Sequence, residues 1–216
     1  MRTYLFDLDG TLFDTAPDIA DALNLTLEEL GLAATSRDTA QSWIGGGAIV
    51  LLERALRHAA VDDLTPSDVM PTFMRHYALT NARDAAPFPG VTETLAELTR
   101  RQRKLGCVTN KPERFAREIL EKSGLAAQFG VLIGGDTLPV RKPEPLPVTT
   151  AMETLGGAAA ETWMVGDSMT DMDAARNAGV NSAWVPFGYH QGATVSELAP
   201  TEALTEFTDL LAIDAR

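Results

Sequence analysis

The sequence predicts an α/β architecture: a parallel sheet with helices on both faces, interrupted after its first strand by an all-helical insert. Three observations carry this expectation. From residue 88 onward, short apolar runs of strand length alternate with helical patterns, which in α/β chains builds a parallel sheet covered on both faces. One more run, residues 3–6, stands alone at the N-terminus and ends in Asp7-Leu8-Asp9-Gly10. Between them, residues 16–87 show helical spacing and no convincing strand. A length of 216 residues lies between one average domain and two at about 150 residues each. The economical division is a core of residues 1–15 and 88–216 with a helical domain over 16–87.

Each element has a local reason. Thr15 and Pro17 read as cap and first turn of a helix in which Ile19, Leu23, Leu27 and Leu30 share a face, with Gly31 as the stop. A second amphipathic stretch carries Leu51, Leu52, Ala55 and Leu56. A third begins at Thr65-Pro66 with Asp68 completing a cap, and carries Val69, Phe73 and Tyr77. Residues 87–90, Pro-Phe-Pro-Gly, read as a linker. Helices carrying Val91, Leu95 and Leu98, then Phe115, Ile119 and Leu120, then Met152 and Leu155, alternate with strands at 105–108, 131–133 and 163–165. A short helix ending near Gly179 precedes a strand at 182–185, and Leu204, Phe207, Leu210 and Leu211 mark a last helix.

Composition narrows the partners. With 18 basic against 30 acidic residues the net charge is −12, which disfavours nucleic acid and anionic membranes, both held by surplus Lys and Arg. A lone Cys107 leaves no internal disulfide or cysteine zinc site and fits a reducing, cytoplasmic compartment. The opening MRTYLFDLDG has no apolar signal region, and no apolar run reaches the roughly 20 residues of a membrane span.

Ligands of open α/β sheets sit beyond the carboxyl ends of the strands. The residues that follow the expected strands are Asp7, Asp9, Gly10 and Thr11; Thr109, Asn110 and Lys111; Gly134 to Asp136, leading to Arg141 and Lys142; and Gly166, Asp167, Ser168 and Asp171. Carboxylates in this number suit Mg²⁺, which takes a few of them together with water and phosphate oxygens. Asp-Gly after a strand is also ordinary turn chemistry, and Lys142 before Pro143 is alone a common solvated lysine. Gathered at one sheet edge, a hydroxyl, an ammonium and a metal suit the oxygens of a transferring phosphoryl group.

The stretches DLDGTLFDT (7–15), VTNK (108–111), Lys142-Pro143 and GDSMTD (166–171) resemble, in order and over nearly the whole chain, the four motifs of haloacid-dehalogenase-superfamily phosphatases. The resemblance implies a Rossmann-like core and a phosphomonoester hydrolase. Asp7 would be the nucleophile forming an aspartyl-phosphate, and Asp9 the acid and base, holding its proton through burial and acidic surroundings. Mg²⁺ would be held by Asp7, the Asp9 carbonyl and Asp167, with Asp171 and Ser168 supporting that shell or orienting Lys142. Thr109 and Lys142 would hold the phosphoryl group, helped by the N–H groups of Gly10, Thr11 and Asn110.

The helical insert resembles the cap of the phosphoglycolate-phosphatase branch, and WIGGGAIVLLERAL (43–56) resembles its substrate-facing loop. Gly45, Gly46 and Gly47 let backbone approach an anion. They equally suit a flexible turn with Trp43 packed into the insert. Gly46 stands where a polar residue such as Asn is expected. Lys111, or a cap arginine such as Arg54, would read a substrate carboxylate. The resemblance thus implies a small phosphate ester, foremost 2-phosphoglycolate. An amino-sugar phosphate such as N-acetylmuramate 6-phosphate, another sugar phosphate, pyrophosphate, a phosphomutase and a catalytically silent binding module remain alternatives. Monomer and homodimer are both open.

Other features have plainer readings. His58, His76 and His190 lack metal-ligand spacing, and Gly166-Asp167-Ser168 is not a G-x-S-x-G elbow. Cys107, Met169 and Met172 read as packing, and the basic run 100–104 as a solvated helix end.

Overall fold

Six parallel strands form the sheet of the computed structural model, which describes residues 2–190 and 192–216. Their order is β5 (Val131–Ile133), β4 (Lys104–Val108), β1 (Thr3–Phe6), β6 (Thr162–Gly166), β7 (Asn181–Trp184) and β8 (Glu202–Ala203). β1 lies in the middle, with Phe6 opposite Cys107 on one side and Val165 on the other. Strand periodicity of two sends Tyr4 and Phe6 to one face and Leu5 to the other. The first face packs with Leu105, Cys107, Leu95, Leu98, Phe207 and Leu210. The second packs with Val108, Met164, Val148 and Ala174. Helices α5 (Val91–Arg100), α6 (Glu113–Lys122) and α10 (Leu210–Asp214) cover the former; α7 (Leu146–Thr154) and α8 (Met169–Ala178) cover the latter.

Helices α1 (Ala16–Glu29), α2 (Arg37–Gln41), α3 (Ala48–His58) and α4 (Pro66–Thr80) form a separate layer with its own apolar cluster. Ile19, Leu23, Leu51, Leu52, Phe73 and Tyr77 fill it, and Phe115 and Tyr189 enter it from the sheet-bearing part. α4 begins as its sequence dictates: Thr65 and Asp68 form a reciprocal capping box, with Pro66 in the first turn.

Three local readings change. The linker at 87–90 contributes a two-residue strand, β3 (Ala86–Pro87), antiparallel to β2 (Phe13–Asp14) where the chain enters and leaves the helical layer. Proline is tolerated there because the ribbon has only two strands and needs no second ladder. The last helix begins only at Leu210, because Leu204 donates its N–H to Trp184 O beside β8 and Phe207–Asp209 is a single 3₁₀ turn. Two short helices, α2 and α9 (Val195–Leu198), are too brief to leave a periodic signal. Among the described residues no helix is long and apolar enough to cross a membrane.

Candidate active site

The carboxyl ends of β1, β4 and β6 meet at one edge, and the turn after β1 is built to crowd it. Leu8 O accepts from the N–H groups of Leu12 and Phe13 at 3.0 Å each, folding residues 8–13 into a tight loop. Gly10 has φ +83°, and a Cβ there would lie 2.5 Å from Asp167 Oδ2, so only glycine lets the loop rest on the β6 end. Thr11 then donates its hydroxyl to Asp167 Oδ1 at 2.8 Å, and the Tyr189 N–H donates to Oδ2 at 2.5 Å.

Lys142 is buried between two carboxylates, 2.6 Å from Asp171 Oδ1 and 3.0 Å from Asp7 Oδ1. Burial works against its charge, but Asp171 and Asp7 outweigh it and raise its pKa. The other Asp171 oxygen accepts from Ser168 N and Oγ at 3.1 and 2.7 Å, fixing the start of α8. Asn110 Nδ2 donates to Lys142 O at 3.0 Å, tying the loop after β5 to the end of β4.

Asp7, Asp167 and Asp171 are all buried and place one oxygen each within 4.8 Å of one another. Asp7 Oδ1 faces the Lys142 ammonium at 3.0 Å. Burial, against the pull of Lys142 and with help from Asp171 and Asp9, pushes Asp7 up to about 6. Burial also raises Asp167, with Asp171 and Asp7 adding to it. Three buried carboxylates facing one ammonium are a charge deficit that a hard divalent cation fits. The Asp9 carboxylate is not among the three. Its Oδ1 accepts from Thr15 Oγ1 at 2.6 Å and Lys111 Nζ at 2.8 Å. Asp7 is the acidic neighbour expected for Asp9, but the direct partners of Asp9 are a hydroxyl and an ammonium, because Lys111 folds back across the strand ends, and Asp9 is part-exposed rather than buried.

A cleft of ≈ 50 Å³ opens beside Asp7 and Asp9. Thr109, Asn110 and Lys111 form its floor, and Ile19, Ile44, Gly45, Gly47, Leu51, Phe73 and Tyr77 its roof. Lys111 Nζ donates to the Tyr77 hydroxyl and lies 4.8 Å from the centre of that ring. Of the expected glycines, Gly45 and Gly47 reach the cleft, whereas Gly46 packs on Val50 instead. Trp43 packs on the helical cluster and on His58, with ring centroids 5.3 Å apart. Arg54 lies outside the cleft and donates to Ser42 O at 3.4 Å.

The expected donors at Gly10 and Thr11 are otherwise engaged. Gly10 N–H bonds Phe13 O at 2.9 Å and Thr11 N–H bonds Leu8 O at 3.3 Å, because a loop this tight satisfies its own amides. Two tyrosines escaped the sequence reading. Tyr77 looked like one more residue of an apolar helical stripe, and its polar tip was the only cue. Tyr189 lies in an irregular loop after β7, where nothing local announces a role.

Fold and candidate site define an α/β protein with buried charged groups gathered at the carboxyl ends of its parallel strands. Residues 4–185 match the haloacid dehalogenase-like hydrolase family, and the chain belongs to that family. It is 39% identical over 212 residues to a phosphoglycolate phosphatase of Colwellia psychrerythraea, covering 96% of this chain and 94% of the relative. It is 40% identical over 218 residues to one of Nitrosospira multiformis, covering 98% and 96%. The crystal structure of a predicted phosphoglycolate phosphatase from Haemophilus somnus superimposes with a TM-score of 0.93 at 32% identity, covering 99% of this chain and 98% of the other.

Proposed function

We propose that this phosphatase hydrolyses 2-phosphoglycolate to glycolate and phosphate through a phosphorylated Asp7. The observation that carries the substrate is Lys111: a buried cation on the floor of a cleft whose roof is otherwise apolar and glycine-rich. The phosphoglycolate phosphatase relatives, matched over nearly their whole length, favour the same small acidic leaving group.

Asp7, Asp167 and the main chain of Asp9 would hold Mg²⁺, which when bound supplies positive charge to the phosphate oxygens. Asp7 attacks phosphorus in line with the leaving oxygen, forming one P–O bond as the other breaks. Lys142 and the Thr109 hydroxyl hold the equatorial oxygens, where charge develops. With Lys111 turned to the substrate, Asp9 enters the first step as the carboxylic acid and gives its proton to the departing alkoxide; the carboxylate so formed then takes a proton from the water that attacks phospho-Asp7 and releases phosphate. Both partners of Asp9 bind Oδ1, so Oδ2 is the oxygen available for these transfers. Lys111 would turn from Asp9 toward the substrate carboxylate.

Two substitutions test this reading. Asp7→Asn should abolish turnover while the thermal transition persists. Lys111→Ala should raise KM for 2-phosphoglycolate at least about tenfold, as expected for a lost charge-assisted contact, and change KM for p-nitrophenyl phosphate little. Equal changes on both substrates would reject Lys111 as the carboxylate reader.

A further inference from the structure

The start of α1 lacks the cap its sequence promises. Thr15 stands at the cap position, but its side chain caps no helix amide and its hydroxyl goes to Asp9 Oδ1 at 2.6 Å. Orphan amides at a helix start need acceptors, and here a distant residue supplies one. Tyr189 Oη accepts from Thr15 N at 2.8 Å and from Ala16 N at 2.9 Å, and donates to Asp14 Oδ1 at 2.6 Å. The same residue's N–H holds Asp167 Oδ2. Its neighbour Gly188 lies so close that a Cβ there would fall 2.3 Å from both Asp167 Cβ and Gly10 O. Tyr189 is itself buried, in the cluster of the helical layer.

We infer that Tyr189 is a positioning residue for the acid–base group: its hydroxyl fixes the Thr15 main chain, and Thr15 in turn fixes the Asp9 carboxylate. The inference rests on the reading of Asp9 as the proton donor to the leaving oxygen. Chemistry favours the arrangement. Thr15 is β-branched, with few allowed side-chain rotamers, so fixing its main chain at the Thr15 and Ala16 amides leaves its hydroxyl few positions. Asp9 follows β1 on a loop, and a carboxylate there needs such an anchor to stay within hydrogen-bond reach of a leaving oxygen. The anchor sits at the junction of β2 and α1, where the helical layer begins, so the three hydrogen bonds of Tyr189 that seat that layer also hold Thr15, which shares Asp9 Oδ1 with Lys111.

A leaving-group comparison tests the inference. kcat/KM reports the steps up to formation of phospho-Asp7. A glycolate leaving group needs a proton in that step, whereas p-nitrophenolate leaves as a stable anion. Tyr189→Phe keeps the ring and removes the hydroxyl. It should lower kcat/KM for 2-phosphoglycolate about tenfold, part of what general acid catalysis supplies, with KM little changed and p-nitrophenyl phosphate lost less than about threefold. Equal loss on both substrates, or none on either, overturns the inference. Asp9→Asn is the control: a selective loss there with an unselective one in Tyr189→Phe removes Tyr189 alone, whereas an unselective loss in Asp9→Asn removes Asp9 as the acid. If Tyr189→Phe does not fold, Thr15→Val cuts the relay at its Asp9 end and must show the same selective loss; an unselective one overturns the inference.

Discussion

Asp7 shares its burial with Asp167 and Asp171 and has a single ammonium to offset all three. Its carboxyl is pushed up to about 6, by burial first. Between the ordinary carboxylate range and that value the folded protein keeps a proton that the unfolded chain has released. Stability from this group therefore falls as pH rises through that window. Without a divalent cation, the melting temperature relative to that of Asp7→Asn should decline from about pH 4 to about pH 7. Added Mg²⁺ binds the ionised carboxylates, so it should raise the melting temperature more at about pH 7 than at about pH 5, where protons compete. A Mg²⁺ effect independent of pH, or one retained in Asp7→Asn, would place the ion elsewhere.

At the scale of elements, close approach does what side-chain bonds alone cannot. Gly188 seats the loop after β7 against Asp167 and the Gly10 carbonyl, with no room for a Cβ. Gly179 closes α8 with φ +67° and open space around it. Gly188→Ala should therefore cost about 2–3 kcal/mol, since backbone and a buried carboxylate must both shift, while Gly179→Ala should cost only the left-handed penalty of about 1 kcal/mol. Urea denaturation of the two variants checks the ranking, and a smaller loss for Gly188→Ala would mean that this loop is not tightly seated. The same contrast explains what the sequence could tell. The Thr65–Asp68 cap and the strand at 105–108 were legible because their causes are local: a hydroxyl three residues from a carboxylate, a run of apolar residues. The gathering of Asp7, Asp9, Thr109, Lys142 and Asp167 at one sheet edge was legible because each follows a strand or lies in the loop beyond one. Leu204 to Leu211 imitate a helix in spacing, but a partner strand claims Leu204. Tyr77 and Tyr189 owe their partners to chain folding over 34 and 174 residues, and no window of sequence holds that information.

Across the whole molecule, one cleft is floored by strand ends and roofed by helices, and the two parts are joined by little chain. The ribbon of β2 and β3 pairs only two residues from each strand. Asn81 ties the end of α4 to α6 through Phe115 O at 3.2 Å and Glu118 Oε2 at 2.9 Å, and Tyr77 reaches Lys111. Phe115 and Tyr189 add apolar contact, and Tyr189 three hydrogen bonds, but the sum is smaller than the apolar cluster inside the helical layer, so relative motion of the two parts costs less than unfolding either. A ligand bridging floor and roof should hold them together. In hydrogen exchange, Mg²⁺ with orthovanadate, an anion of phosphate shape, should slow amides at residues 45–51 and 73–81 together with those at 109–111. Protection confined to 109–111 would show that the phosphoryl group binds without engaging the roof. Selection of the leaving group would then have to arise from Lys111 alone. Protection of both parts would instead make the helical layer a working wall of the site, closed in each turnover by the substrate it selects.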